Sequence, residues 1–323
     1  MKRLLSFAAA ATVLFAACQK TEVVYDNPDP QEIALFAVNK VATKAPVGGT
    51  AFPTDDKMQV AAYLAHGGVA VGDYFGKTEF SKNGAYWTGG KYWPVTASTI
   101  NFLAVSEPVS GTTVVTTFPE TNSAASASVV LSGNDTAQYD LMYAVGQGKC
   151  APSSYSEVDM QFRHALTWLY FKVKSNVSGV VTVNSITVKD TAVDGTLSID
   201  NGSNYNATAD VTSSTATIGA SWSPGATGDR TVVAAAVDCT TSEQDFGSLL
   251  VLPTVSGTKS FVINYTITNG GDTTTFNYTY STTAEWKMAY KYTYNVNITL
   301  TGIDVNPVVS TWTTPAGTAV PLG

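Results

Sequence analysis

Between Tyr290 and Leu300 apolar and polar residues alternate without a break. A period of two places Tyr290, Tyr292, Tyr294, Val296, Ile298 and Leu300 on one face of a strand. Lys291, Thr293, Asn295, Asn297 and Thr299 take the other. Phe261 to Ile267 and Phe276 to Tyr280 alternate in the same way around Asn269-Gly270-Gly271-Asp272, which predicts a hairpin. Val181 to Val188 and Tyr139 to Val145 predict further strands, and Leu166 to Val173, apolar on both faces, predicts a central buried one. No window holds a 3.6-residue period. Strands separated by Gly, Ser, Thr and Asn turns point to β-sandwiches, with a domain break in Ala151 to Ser156.

Composition agrees with that pattern. Charged residues make up 13% of 323, against about 25% in ordinary soluble domains. Thr, Ser, Gly, Asn and Tyr take their place, and these residues favour strands and turns. A hydrophobic share of 44% supplies a core. The formal charge of −7 argues against nucleic-acid binding, which needs a basic face. The class is an all-β secreted protein.

The N-terminus gives the destination. Met1-Lys2-Arg3 precedes an apolar stretch, Leu4 to Ala17, with the layout of a secretory signal. Leu14-Phe15-Ala16-Ala17-Cys18 resembles a bacterial lipobox, with Phe15 where Leu is usual. Residues 1–17 are then the signal, and Cys18 is the lipidation site; a plain signal cut nearby is the bland alternative. Acylation contributes about 0.8 kcal/mol per buried methylene, a firm tether to the outer membrane. Residues 19 to about 31 read as a spacer.

Catalytic signals are thin. His66 and His164 are the only histidines, too few for a zinc site with no Cys beside them. No Ser lies in a nucleophile-elbow pattern. Carboxylate-pair glycoside hydrolysis needs no local motif, which makes an enzyme the third-ranked reading, and the sequence is read as a non-enzyme without a metal or cofactor. Cys150 and Cys239 either pair in the oxidising envelope or stay as free thiols. The cluster Tyr86, Trp87, Tyr92 and Trp93 offers aromatic faces. Trp87 and Trp93 are candidate glycan contacts, set against a core-filling role.

Four features together carry a resemblance. They are the lipobox Cys18; a first strand followed by Thr43-Lys44-Ala45; Tyr139-Asp-Leu-Met-Tyr-Ala144 with Phe162-Arg-His-Ala-Leu166; and Trp286 before Tyr290-Lys-Tyr-Thr-Tyr294, ending in a Trp312 tail. In this order they resemble the fimbrillin family, type V pilus subunits of Bacteroidales. The resemblance implies two transthyretin-like β-sandwich domains in tandem, residues 45–156 and 157–303. It also implies an assembly chemistry. A lipidated precursor reaches the cell surface, and a trypsin-like protease removes the first strand within residues 18–44. The C-terminal tail of another subunit, residues 304–323, then fills the groove as a donor strand in a fimbrium that supports adhesion. A surface-anchored glycan-binding lipoprotein is the alternative.

The residues permit this chemistry. Ile33, Leu35, Phe36 and Val38 make a compact apolar strand, with Lys40 and Lys44 just after it. Cleavage after Lys44 detaches strand and lipid together; Lys40 is the second choice, and both lysines also suit solvated strand ends. Arg163 and Arg230 are mid-chain, so an Arg-only protease does not serve. Val305, Val308, Val309, Trp312, Val320 and Leu322 supply the donor's apolar side chains, by β-augmentation of an opened edge. Asp135-Thr136-Ala137 and Asp190-Thr191-Ala192 resemble an O-glycosylation acceptor motif, and equally read as turns.

Overall fold

A computed structural model describes residues 31–39, 57–66, 69–84, 86–94, 98–107, 113–118, 127–132, 139–151, 154–155, 158–199, 220–232 and 234–311. Cys18, Lys40, Lys44, Trp312, Val320, Leu322 and the Asp135 motif lie outside these residues. Among the described residues every regular element is a strand.

The N-terminal half contains β1 (Leu35–Asn39), β2 (Lys57–His66), β3 (Val69–Asn83), β4 (Tyr86–Thr88), β5 (Ser98–Glu107), β6 (Thr113–Thr117), β7 (Ala127–Ser132), β8 (Met142–Ala151), β9 (Ser154–Tyr155) and β10 (Val158–His164). The C-terminal half contains β11 (Thr167–Ser175), β12 (Val180–Ala192), β13 (Gly195–Ile199), β14 (Ala220–Pro224), β15 (Thr227–Thr231), β16 (Val237–Asp238), β17 (Gln244–Val251), β18 (Thr254–Asn269), β19 (Asp272–Trp286), β20 (Tyr290–Thr299) and β21 (Gly302–Thr311).

The first sheet closes on itself. Its order is β10-β1-β4-β3-β2-β5-β8-β9, and β10 also pairs with β8. Alternate residues therefore point into one enclosed core: Leu35, Val60, Phe80, Trp87, Phe102, Ala144, Met160 and Phe162 among them. Packing there is tight. A Cβ on Gly148 would lie 2.4 Å from the Trp93 ring and 2.7 Å from Val158.

Residues of the opposite parity on β2, β5 and β8, such as Tyr63, Leu103 and Tyr143, face outward into a second core with Leu197, Ile199, Leu250 and Leu252. A small sheet, β14-β13-β7-β6, draws two strands from each half. The third core is a β-sandwich: β17-β11-β20-β21 packs on a sheet containing β15-β12-β18-β19 through Phe171, Phe261, Trp286, Tyr294, Val296 and Ile298.

Several expectations meet their outcome here. The hairpin is present, with Asn269 opposite Asp272 and positive φ at Gly270 and Gly271, as a two-residue primed turn requires. β20 alternates as read, except that Leu300 is 83% exposed because the strand ends at Thr299 and turns. β11 is central, between β17 and β20, but fully buried on one face only.

The domain boundary moves. Residues 158–164 do not open the second sandwich; β10 pairs with β1 and β8 in the first sheet. The change of sheet falls at Ala165-Leu166, where one nearly continuous run passes from β10 into β11. The last segment moves too. Residues 304–311 are not a free tail: β21 pairs with β20 along its whole length, Gly302 opposite Thr299 to Thr311 opposite Tyr290. Its first half is anchored by Ile303 and Val305 in the core.

Candidate functional site

The strand of interest is β1. It is separated in sequence from β2 and inserted between two strands that follow it. It runs parallel to β10, Leu35 opposite Val158 through Asn39 opposite Phe162. On its other side Leu35 stands opposite Trp87 of β4. Just before it, Ile33 N donates to Lys91 O at 2.7 Å and Trp93 N donates to Gln31 O at 2.9 Å. The Glu32 carboxylate accepts from Gly90 N at 3.0 Å.

Side chains follow the pleat. Ile33 and Leu35 are fully buried in the closed core, beside Trp87, Val158, Met160 and Phe162. Burial of each is worth about 1.5–3 kcal/mol. Phe36 points the other way, edge-on to Tyr86 with ring centroids 6.1 Å apart. Two of the four expected plug residues, Ile33 and Leu35, thus fill the core, and Phe36 does not. Val38 is placed only by register, opposite Gln161.

Withdrawing β1 would open the ring between β4 and β10 and no other pairing, since β10 keeps β8. It would expose the backbone edge of β10 and a slot walled by Trp87, Val158, Met160 and Phe162. Unpaired backbone beside apolar pockets is what a foreign strand can satisfy. The slot walls were not legible as such in the sequence. Val158, Met160 and Phe162 alternate correctly, but nothing local shows that their partner lies more than a hundred residues upstream.

Beyond β10, Leu166 O accepts from Ala289 N at 2.9 Å, which ties the run into β11 to the turn before β20.

Where β10 ends, two segments of the sequence resemblance meet. His164 Nδ1 lies 2.6 Å from Asp140 Oδ2, with both side chains buried. Ala165 N donates to Leu141 O at 2.8 Å. Burial holds the Asp140 carboxyl above its ordinary pKa, partly opposed by the charge and hydrogen bonding of His164. His164 is a packed core residue that ties β10 to the segment entering β8.

The aromatic cluster is not a surface platform. Trp87 is 0% and Trp93 3% exposed, and both belong to the closed core. Trp93 lies edge-on to Phe102, centroids 6.1 Å apart. Of the cluster only Tyr92 stands out, at 47%. The rings fill space because their strands close the barrel-like ring around them. Thr191 is also buried, at 2%, which leaves its hydroxyl out of reach of a glycosylating enzyme. Cys239 is a free, half-buried thiol whose pKa burial pushes up to about 11. Among the described residues no group of three or more His, Cys, Asp or Glu is placed to hold a metal ion.

Of the expected donor residues, Val305 is buried at the sandwich edge, whereas Val308 and Val309 are 55% and 53% exposed. The second half of β21 is held mainly by backbone pairing.

The fold and this slot define an all-β protein whose strand β1 completes a core made by later strands. A family model described as fimbrillin-like matches residues 43–312, and the chain belongs to that family. It is a structural protein and not an enzyme. No curated protein matches the sequence. Among solved structures it is similar to a fimbrial protein from Bacteroides vulgatus, with TM-score 0.54 and 15% identity over 79% of this chain and 93% of the other. A candidate cell adhesion protein from Bacteroides ovatus gives 0.52 and 14% over 88% and 99%. One from Bacteroides uniformis gives 0.48 and 18% over 87% and 98%.

Proposed function

We propose that the chain is a pilus subunit that polymerises by strand exchange at the β1 slot. One observation carries the reading: β1 and the residues just before it bury Leu35 and Ile33 in a core otherwise built by residues 58–162, and their removal opens one seam among the described strands. In this reading Cys18 is acylated and holds the precursor at the outer membrane. A trypsin-like protease cuts after Lys44, or after Lys40 as second choice, releasing β1 with the lipid. The C-terminal segment of a second subunit then pairs along β10, with Trp312, Val320 and Leu322 as donor residues, while residues 304–311 stay paired to β20. Two transthyretin-like domains in tandem, an outer-membrane stage, a surface fimbrium and an adhesive role belong to the same reading.

Trypsin treatment of the purified, signal-free chain is expected to cut near Lys44 and to produce ladders that survive mild denaturant on gels. A chain ending at Thr311 is expected to be cut equally and to remain monomeric. If both chains stay monomeric after the cut, or both form ladders, exchange through the tail is wrong.

A further inference from the structure

β10 is held in two ways along its length. Gln161 to His164 pair with Val145 to Met142 of β8, and Gln161 and Phe162 pair also with β1 on the opposite edge. Val158, Asp159 and Met160 stand opposite Leu35, Phe36 and Ala37, and among the described strands β1 is their only partner. The β8 edge that would continue the ladder has no described partner from Gly146 to Lys149. Pairing resumes at Cys150, opposite Tyr155 of β9.

The two strands part because one crosses the other. Gly146 and Gly148 share the parity of Met142 and Ala144, which face the closed core. A Cβ on Gly146 would lie 2.4 Å from Met160 Sδ and 3.1 Å from the Asp159 carbonyl oxygen. One on Gly148 would lie 2.7 Å from Val158 Cγ2. Backbone so close to a Cβ position lies partly over the inner face of β8, and two glycines leave room for it. On this side Val158 and Met160 are therefore held by side-chain packing, both fully buried, with Asp159 exposed between them.

Backbone order in Val158 to Met160 thus depends on β1. A strand segment keeps its conformation when ladder bonds and packing outweigh the entropy of fixing its backbone. With β1 gone, these three residues have no ladder to a described strand, and Val158 loses the core leucine opposite it. Gln161 to His164 keep β8, and His164 keeps Asp140 at 2.6 Å. Segments that differ so in what holds them open separately.

We propose that Val158 to Met160 form a conditional lip of the slot, ordered only while a strand lies beside them, whereas Gln161 to His164 form its permanent edge. Given strand exchange, an incoming donor finds a preformed edge only at Gln161 and Phe162, and orders the other three residues as it enters. The inference rests on the exchange reading for that consequence alone.

Native-state amide hydrogen exchange in the uncut, full-length chain tests it, with wild type compared with Leu35→Ala. The substitution weakens β1 and leaves the sequence of β10 intact. Protected amides in Val158 to Met160 are expected to exchange at the rate of those in Leu35 to Asn39. Leu35→Ala is expected to accelerate both groups by the same factor, at least ten-fold, and to leave Phe162 to His164 unchanged. Leu35→Val, a smaller truncation, carries the comparison if the alanine variant does not fold. Failure of Val158 to Met160 to follow β1 in either chain overturns the proposal. So does equal acceleration of Phe162 to His164, which would make β1 and all of β10 one unit. Neither cleavage nor polymer is involved, so this result and the ladder experiment can fail independently.

Discussion

Leu35→Ala in the uncut chain is expected to cost about 2–5 kcal/mol, and to leave the assembled polymer as stable as wild type. The cost is that of a truncated core leucine, lost transfer free energy plus a cavity. Leu35 is fully buried opposite both Trp87 and Val158, where the closed ring leaves little room to collapse. The second half of the prediction separates this role from ordinary packing. If β1 departs before assembly, its side chains cannot contribute to the polymer. Denaturant midpoints of precursor and polymer, each compared with wild type, read the two halves. Equal losses in both would mean that β1 stays.

His164→Ala is expected to destabilise precursor and polymer alike, by about 1–3 kcal/mol, the cost of leaving a buried polar group without its partner. The substitution leaves the Asp140 carboxyl buried with no imidazole 2.6 Å away. It also removes the two influences that lower a pKa already raised by burial. The sign of the pH dependence follows. An unfolded Asp ionises near 3.8, while the buried carboxyl holds its proton to higher pH. Stability is then full below that value and falls as pH rises towards the folded pKa. His164→Ala widens this window, so its deficit should grow as pH rises above the unfolded Asp value. Chemical denaturation at several pH values reads it, with Asp140→Asn in the same background expected to flatten the slope.

Much of the fold was legible because period-two alternation reports directly which side of a sheet each residue faces. β20 and the β18–β19 hairpin are examples: β20 has one buried face, and in the hairpin Phe261, Ile263, Tyr278 and Tyr280 lie toward the core. Pairings between distant strands were not legible. Val158 to His164 looks like the opening of a second strand set, since its alternation is indifferent to which strand lies beside it. Its partner β1 precedes it by more than a hundred residues. The same limit applies to Trp87 and Trp93: aromatic clustering is visible in sequence, but ring closure decides that the cluster lies inside. The β1 segment itself was readable as a compact apolar run, although Phe36 shows that one of its faces lies outside the core. The end of β21 was misread as tail because Val308 and Val309 are exposed residues on a paired strand, a combination that apolar content alone does not reveal.

The most direct test of the account is the N-terminal residue of the chain within polymer isolated from the cell surface, read by mass spectrometry of its first peptide. Strand exchange at the β1 slot predicts Ala45, or Val41 if Lys40 is the residue cut. A polymer whose subunits begin at acylated Cys18 and retain Ile33 to Val38 would contradict it.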